Sequence, residues 1–217
     1  MPMTTERHVL TLMQWLSPSF PVGAFAYSHG LETVISSGQI TTAADLEDWL
    51  KSVLIHGTGR NDSILLRAAH AAPDGTALAE IDAIARAFAA SGERLMETAL
   101  QGDAFCKTVS DIWGADLQGL TYPVAIGAAA AHAGIGADLA AAIYLQAFVS
   151  NLVSAAVRAV PLGQTEGQAV LAALTPLCES TAAETATATL DDLSSTAFLS
   201  DIAAMNHETL QPRIFRT

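Results

Sequence analysis

Apolar residues recur at helical spacing in one segment after another, each bounded by glycine, proline or a capping residue. That pattern restricts the chain to packed helices. Val9, Leu12, Met13 and Leu16 fall at i, i+3, i+4 and i+7. Leu46, Trp49, Leu50, Val53 and Leu54 form a second stripe, entered through Thr42-Ala43-Ala44-Asp45, a T-x-x-D variant of the capping box. A helix from Asp62 to Ala72 turns Ile64, Leu65, Ala68 and Ala69 inward, and Pro73-Asp74-Gly75 ends it. Thr76 is placed to cap the next, with Leu78, Ile81, Ile84, Ala85 and Phe88 inward. A longer stripe carries Leu95, Ala99, Gly102, Phe105, Cys106, Val109 and Ile112 as far as Gly114. Gly102 costs such a helix about 1 kcal/mol against alanine, which close approach of a neighbouring segment would offset.

The later segments extend the same reading. Pro123–His132 is alanine-rich, suited to the interior, where small side chains let helix axes come close. Asp138–Val160 reads as a central helix. Its Leu139–Val157 portion carries no charge and is near the length of a membrane span. Yet Gln146, Ser150 and Ser154 recur at i, i+4 and i+8 beside Asn151, which fits a packed helix hydrogen-bonded to its neighbours. Pro176 predicts a break, with Thr175–Leu190 as two short helices or a partly mobile stretch. Leu199, Ile202 and Met205 define the inward face of a last helix. Val, Ile, Thr and aromatic clusters that would signal strands are scarce. The expectation is an all-α, single-domain bundle of about eight to ten helices over residues 1–217, with no internal repeat or linker.

Half the residues are hydrophobic, enough for a sizeable core. Net charge is −12, with no basic stripe to meet phosphates, so nucleic acid and anionic membrane are excluded as expected partners. Cys106 and Cys178 sit alone in apolar patterns and read as buried thiols of a reducing compartment. Met1–Leu10 shows no basic region followed by an apolar one. The expected location is the cytoplasm.

Between the first two helical patterns lies Leu12–Glu32, LMQWLSPSFPVGAFAYSHGLE. Pro18 and Pro21 restrict the residues before them and make a stiff elbow. A second helical pattern then runs through Ala24, Tyr27, Leu31, Val34 and Ile35 to Gly38. A stiff surface loses little entropy on binding a partner. Ala26–Gly30 reads A-x-S-x-G, a near miss to the hydrolase nucleophile elbow, but it lacks the strand before the serine and the alternating βα context. On a helix, Ser28 and Glu32 share a face while His29 points away. His8, His29, His56, His70, His132 and His207 are dispersed without metal-ligand spacing. Gly163–Gln168 has no lysine and no glycine fingerprint for phosphate; it reads as a helix start or a contact surface.

LSPSFPVGAFAYSHGLE resembles the N-terminal signature of the urease accessory protein F family, a P-x-G segment leading into an aromatic, a serine and G-L-E. Val160–Gln168 (VPLGQTEGQ) and Met205–Leu210 (MNHETL), followed by Arg213–Thr217 (RIFRT), resemble the same family in order and spacing. The resemblance implies an all-α, dimeric protein of urease maturation with no chemistry of its own. Its partners would be the D-type (also called H-type) accessory protein, the GTPase accessory protein G, and apo-urease. No cofactor would be bound by this chain alone, nickel and GTP being handled by the complex. Candidate partner-binding residues are Pro21, Gly23, Phe25, Tyr27, Ser28, His29 and Glu32 of the elbow; Gln164, Thr165 and Glu166 of the polar loop; and His207, Glu208, Arg213, Ile214 and Phe215 near the end. Residues 211–217 read as a tail, irregular when free, that orders on the D-type partner with Phe215 as its anchor and Arg213 stacked on Phe25 or Tyr27. The alternative is a direct regulator of the GTPase, supplying Arg60 from a flexible Gly57–Arg60 loop.

Overall fold

Thr42 starts a helix by the mechanism its sequence implies. Its hydroxyl accepts from Asp45 N at 3.2 Å, and the Asp45 carboxylate accepts from Thr42 N at 2.9 Å. The computed structural model describes residues 5–217; the first four residues of the N-terminal stretch read for targeting lie outside it. Ten α-helices occur among the described residues. They are α1 (Thr5–Trp15), α2 (Leu31–Ser36), α3 (Ala43–His56), α4 (Thr58–Ala71), α5 (Gly75–Ala87), α6 (Gly92–Trp113), α7 (Tyr122–His132), α8 (Ala137–Ala159), α9 (Gln164–Glu184) and α10 (Phe198–His207). Short 3₁₀ turns cover Ala24–Ala26, Thr185–Thr187 and Leu190–Asp192. No strand occurs among the described residues, and the chain is an all-α bundle.

Small residues set the closest packing. α7 lies against α4, where a Cβ on Gly127 would stand 2.1 Å from Leu66 O. Gly102 of α6 faces the backbone of Leu120–Tyr122, which leads into α7; a Cβ there would stand 2.0 Å from Leu120 O. α8 packs on α7 and α9 and buries Tyr144, Leu145, Val149 and Leu152. Among the described residues it is the one helix long and apolar enough to cross a membrane, and half of that stretch is buried in the bundle.

Several boundaries differ from expectation. Asp74, not Thr76, caps α5, its carboxylate accepting from Ala77 N at 2.9 Å. α4 begins at Thr58 instead of Asp62, directly after α3, with Gly57 as the only break. α9 continues through Pro176 to Glu184. An interior proline costs a helix about 3 kcal/mol. Here Val170, Leu174, Cys178 and Ala182 are buried at i, i+4, i+8 and i+12, and that stripe holds the helix together. The polar stripe of α8 is not spent on neighbouring helices: Ser154 is exposed, and Gln146, Ser150 and Asn151 border a groove.

Gly102→Ala is expected to destabilise the chain by about 1–3 kcal/mol despite alanine's better helix propensity, because its methyl group meets backbone. Urea denaturation checks this; equal or greater stability would show that the 120–122 backbone yields.

Candidate interaction site

The elbow is anchored by its aromatics. Phe20 and Val22 are buried, and Phe20 packs at 5.5 Å on Phe105, whose ring also meets Trp15 edge-on at 5.7 Å. Beyond it the chain does not form the continuous helix its spacing suggests. Gly23 (φ 71°), His29 (φ 61°) and Gly30 (φ 77°) are left-handed, and Tyr27 is extended. Ser28 therefore precedes α2 and shares no helical face with Glu32; its hydroxyl instead accepts from Glu32 N at 3.3 Å. Gly30 meets α10 so closely that a Cβ would stand 2.6 Å from Ala204 N.

This bent segment receives the tail, and the tail is not a free end. The Glu32 carboxylate accepts Ile214 N at 2.6 Å on one oxygen and Phe215 N at 2.9 Å on the other. Arg216 N donates to Ala26 O at 2.8 Å, and Ser28 donates both N–H and hydroxyl to Thr217 O. Thr217 Oγ1 donates to Glu97 at 2.6 Å. His207 Nε2 lies 3.1 Å from Glu32, and its Nδ1 lies 2.6 Å from Glu93, whose other oxygen takes Arg213 at 2.5 Å. Phe215 is 3% exposed beneath the Arg158 guanidinium, 4.7 Å from its ring centre. Two expectations are thus corrected. Phe215 anchors the tail to its own chain, and Arg213 pairs with Glu93 instead of stacking on Phe25 or Tyr27. Ile214, at 72% exposed, is the apolar tail residue that faces outward.

The first turns of α6 bury Arg94, Glu97 and Gln101 where the stripe placed Leu95 and Ala99. Arg94 pairs with Glu97, and Gln101 donates to Glu97 at 3.3 Å. Burial pushes the Glu97 carboxyl up, but Arg94 and His29 overcome it and hold it at about 2. Burial and then Arg94 push His29 down to about 4; its Nε2 meets the Thr58 hydroxyl at 2.9 Å. Asp62 is raised to about 6 by burial, opposed by the Tyr144 hydroxyl donating to it at 2.7 Å.

Asp62, Arg94, Glu97 and Tyr144 line a groove of about 570 Å³ between the elbow, α6, α8 and the start of α9. Of the candidate residues, Phe25 and Gln164 both border it, which brings the elbow and the polar loop to one groove. Pro21 and Thr165 are exposed, Gly23 is half-buried, and Tyr27 is buried. Glu166 accepts from Gly163 N at 2.8 Å and so starts α9. Glu208 does the same for α6, accepting from Gly92 N at 2.8 Å. Ser28, His29, Glu32, His207 and Phe215 are buried where elbow, α6, α10 and tail meet.

The last helix is inverted. Ser200, Ala203, Ala204 and His207 face inward, while Leu199 (67% exposed), Ile202 and Met205 face out with Phe198. The small face is what permits contact with Gly30. Arg60 is not on a flexible loop: it lies in the first turn of α4 and donates to Asp192 O at 2.6 Å. Ser28 and His29 are not paired as nucleophile and base. Among the described residues no three His, Cys, Asp or Glu converge to hold a metal.

An all-α helical bundle with its tail folded back on its own elbow is the class this arrangement defines. Residues 40–175 match the UreF family model. The chain is 52% identical over 213 residues to the urease accessory protein UreF of Ruegeria pomeroyi, covering 98% of each. It is 56% identical to that of Roseobacter denitrificans over 96% of this chain and 93% of the relative, and 55% identical to that of Cereibacter sphaeroides over 96% and 98%. The chain belongs to the UreF family of urease accessory proteins, whose role is in urease maturation.

Phe215→Ala is expected to cost about 3–5 kcal/mol in urea denaturation, whereas a free tail would lose nothing. Asp62→Asn tests the groove floor. A carboxyl raised from 3.8 to about 6 on folding stabilises the fold below 3.8 and loses that contribution as pH rises through 6. The variant is therefore expected to gain about 1–3 kcal/mol over wild type at pH 8 and almost none at pH 4, read from melting curves.

Proposed function

We propose that this chain is a scaffold for nickel insertion, joining the D/H-type accessory protein to the GTPase accessory protein G on apo-urease, and that it works in the cytoplasm as a homodimer. It binds no cofactor of its own; nickel and GTP are handled by the complex, and neither nucleic acid nor membrane takes part. Membership of the family supports the setting. The observation that carries the scaffold role is the outward apolar face of α10, Phe198, Leu199, Ile202 and Met205, on a well-docked helix. Large apolar side chains concentrated on one face mark an interaction surface. Phe25, 67% exposed, and Ile214 add apolar contacts on the elbow and the tail. The alternative of a GTPase-activating arginine loses its basis in Arg60, which is tied to Asp192.

Co-purification with the separate D/H-type and G accessory proteins tests this reading. Leu199→Asp with Ile202→Asp is expected to leave the helical circular dichroism intact and abolish recruitment of the D/H-type protein. Retained recruitment by both partners would defeat the proposal. GTP turnover by the isolated G protein is expected to be unchanged on adding this chain alone; a rise of tenfold or more would favour a direct regulator.

A further inference from the structure

Glu32 is the last residue of the G-L-E signature, and its side chain touches none of the outer surfaces described above. It is 4% exposed and carries two oxygens that accept from the tail and from α10. The consecutive amides of Ile214 and Phe215 each meet a different oxygen of Glu32, two acceptors that a carboxylate supplies and a side-chain amide does not. Its neighbours complete the joint. Glu93 holds Arg213 and the far nitrogen of His207, while Ser28 and Ala26 take the residues after Phe215. The adjoining pair Arg94 and Glu97, with His29 beside it, adds a single tail contact at Thr217. Of the tail's contacts, the one that holds the Ile214 and Phe215 amides together is therefore a single buried carboxylate.

We propose that Glu32 is a positioning residue for assembly: it fixes the Ile214–Phe215 backbone, seats Phe215 inward and thereby presents Ile214 outward. Partner binding at Ile214 rests on the scaffold reading above; the positioning itself does not. The conformation sorts two adjacent apolar side chains to opposite sides, one to the fold and one to the surface. The two charge-assisted hydrogen bonds act on the pair itself, whereas the bonds to Ala26 and Ser28 hold the residues beyond it. Glu32→Gln keeps the shape but turns one acceptor into a donor aimed at an N–H group.

Amide exchange measured residue by residue by NMR tests the positioning on the full chain. In Glu32→Gln the Ile214 and Phe215 amides are expected to exchange about tenfold faster or more, with α7 and α8 amides unchanged, because each lost bond to a charged acceptor is worth a factor of this order. Glu32→Asp, which retains both oxygens on a shorter stem, is expected to fall between. Wild type alone gives a second reading: both amide protons should lie well downfield of the Arg216 amide. Tail amides as protected in Glu32→Gln as in wild type, loss of protection throughout the chain together, or undisplaced wild-type shifts would each overturn the proposal. Ile214→Asp separates the two layers. It is expected to keep the tail amides protected while losing the D/H-type partner; normal partner binding by that variant would defeat the scaffold reading of the tail and leave Glu32's role standing.

Discussion

Charge buried at the start of α6 sets the terms for everything around it. An ionised side chain moved out of water costs several kcal/mol unless it is paired and its remaining hydrogen-bonding positions are filled. Arg94 and Glu97 face each other, yet a carboxylate accepts more than one donor. Gln101 and Thr217 supply the rest. His29 is kept neutral beside them, and its left-handed backbone is what turns the ring toward Thr58. The same logic places Glu93 between Arg213 and His207 and Glu32 between His207 and two backbone amides. Elbow, α6, α10 and tail are separate in sequence but share one set of charges, so none can move without stranding a partner.

The helices themselves were legible because periodicity and caps are local. Thr42 and Asp45 act as their spacing implies, and Gly102 marks a close approach as its helix cost suggests. Errors arose where tertiary contact overrides local rules. Pro176 sits inside α9 because the buried stripe from Val170 to Ala182 outweighs the lost hydrogen bond. Tyr27 to Gly30 leave the helical region because His29 and Gly30 are left-handed, a turn that brings α2 against α10. On α10 the larger side chains were assigned inward by hydrophobicity, but Gly30 leaves room only for Ser200, Ala203 and Ala204.

The candidate site divides in the same way. Phe25 and Gln164 were found from motif and exposure, and the fold places both at one groove. Ser28 and Glu32 bind the chain's own tail, while His207 bridges Glu32 to Glu93 and His29 faces Thr58 and Glu97. Arg94 and Glu97 were missed altogether. Their signal was present as charged residues at i and i+3 in the first turns of α6, but a charge at a helix start reads as solvated unless a buried partner is known. Arg94 and Glu97 are each other's first partner, and the Thr217 hydroxyl that completes Glu97 lies 120 residues downstream.

Glu32's acceptors wait for donors 175 to 183 residues downstream. During synthesis α1 to α9 emerge before any of these donors exist. Domains tend to fold as units, N-terminal part first, so the elbow must spend that interval with an acidic pocket open to water. Closing it is a long-range event of the kind that slows folding. A nascent or prematurely terminated chain could assemble its apolar core and still lack the joint. In chain order the joint between elbow and tail is thereby among the last contacts of the described fold to form.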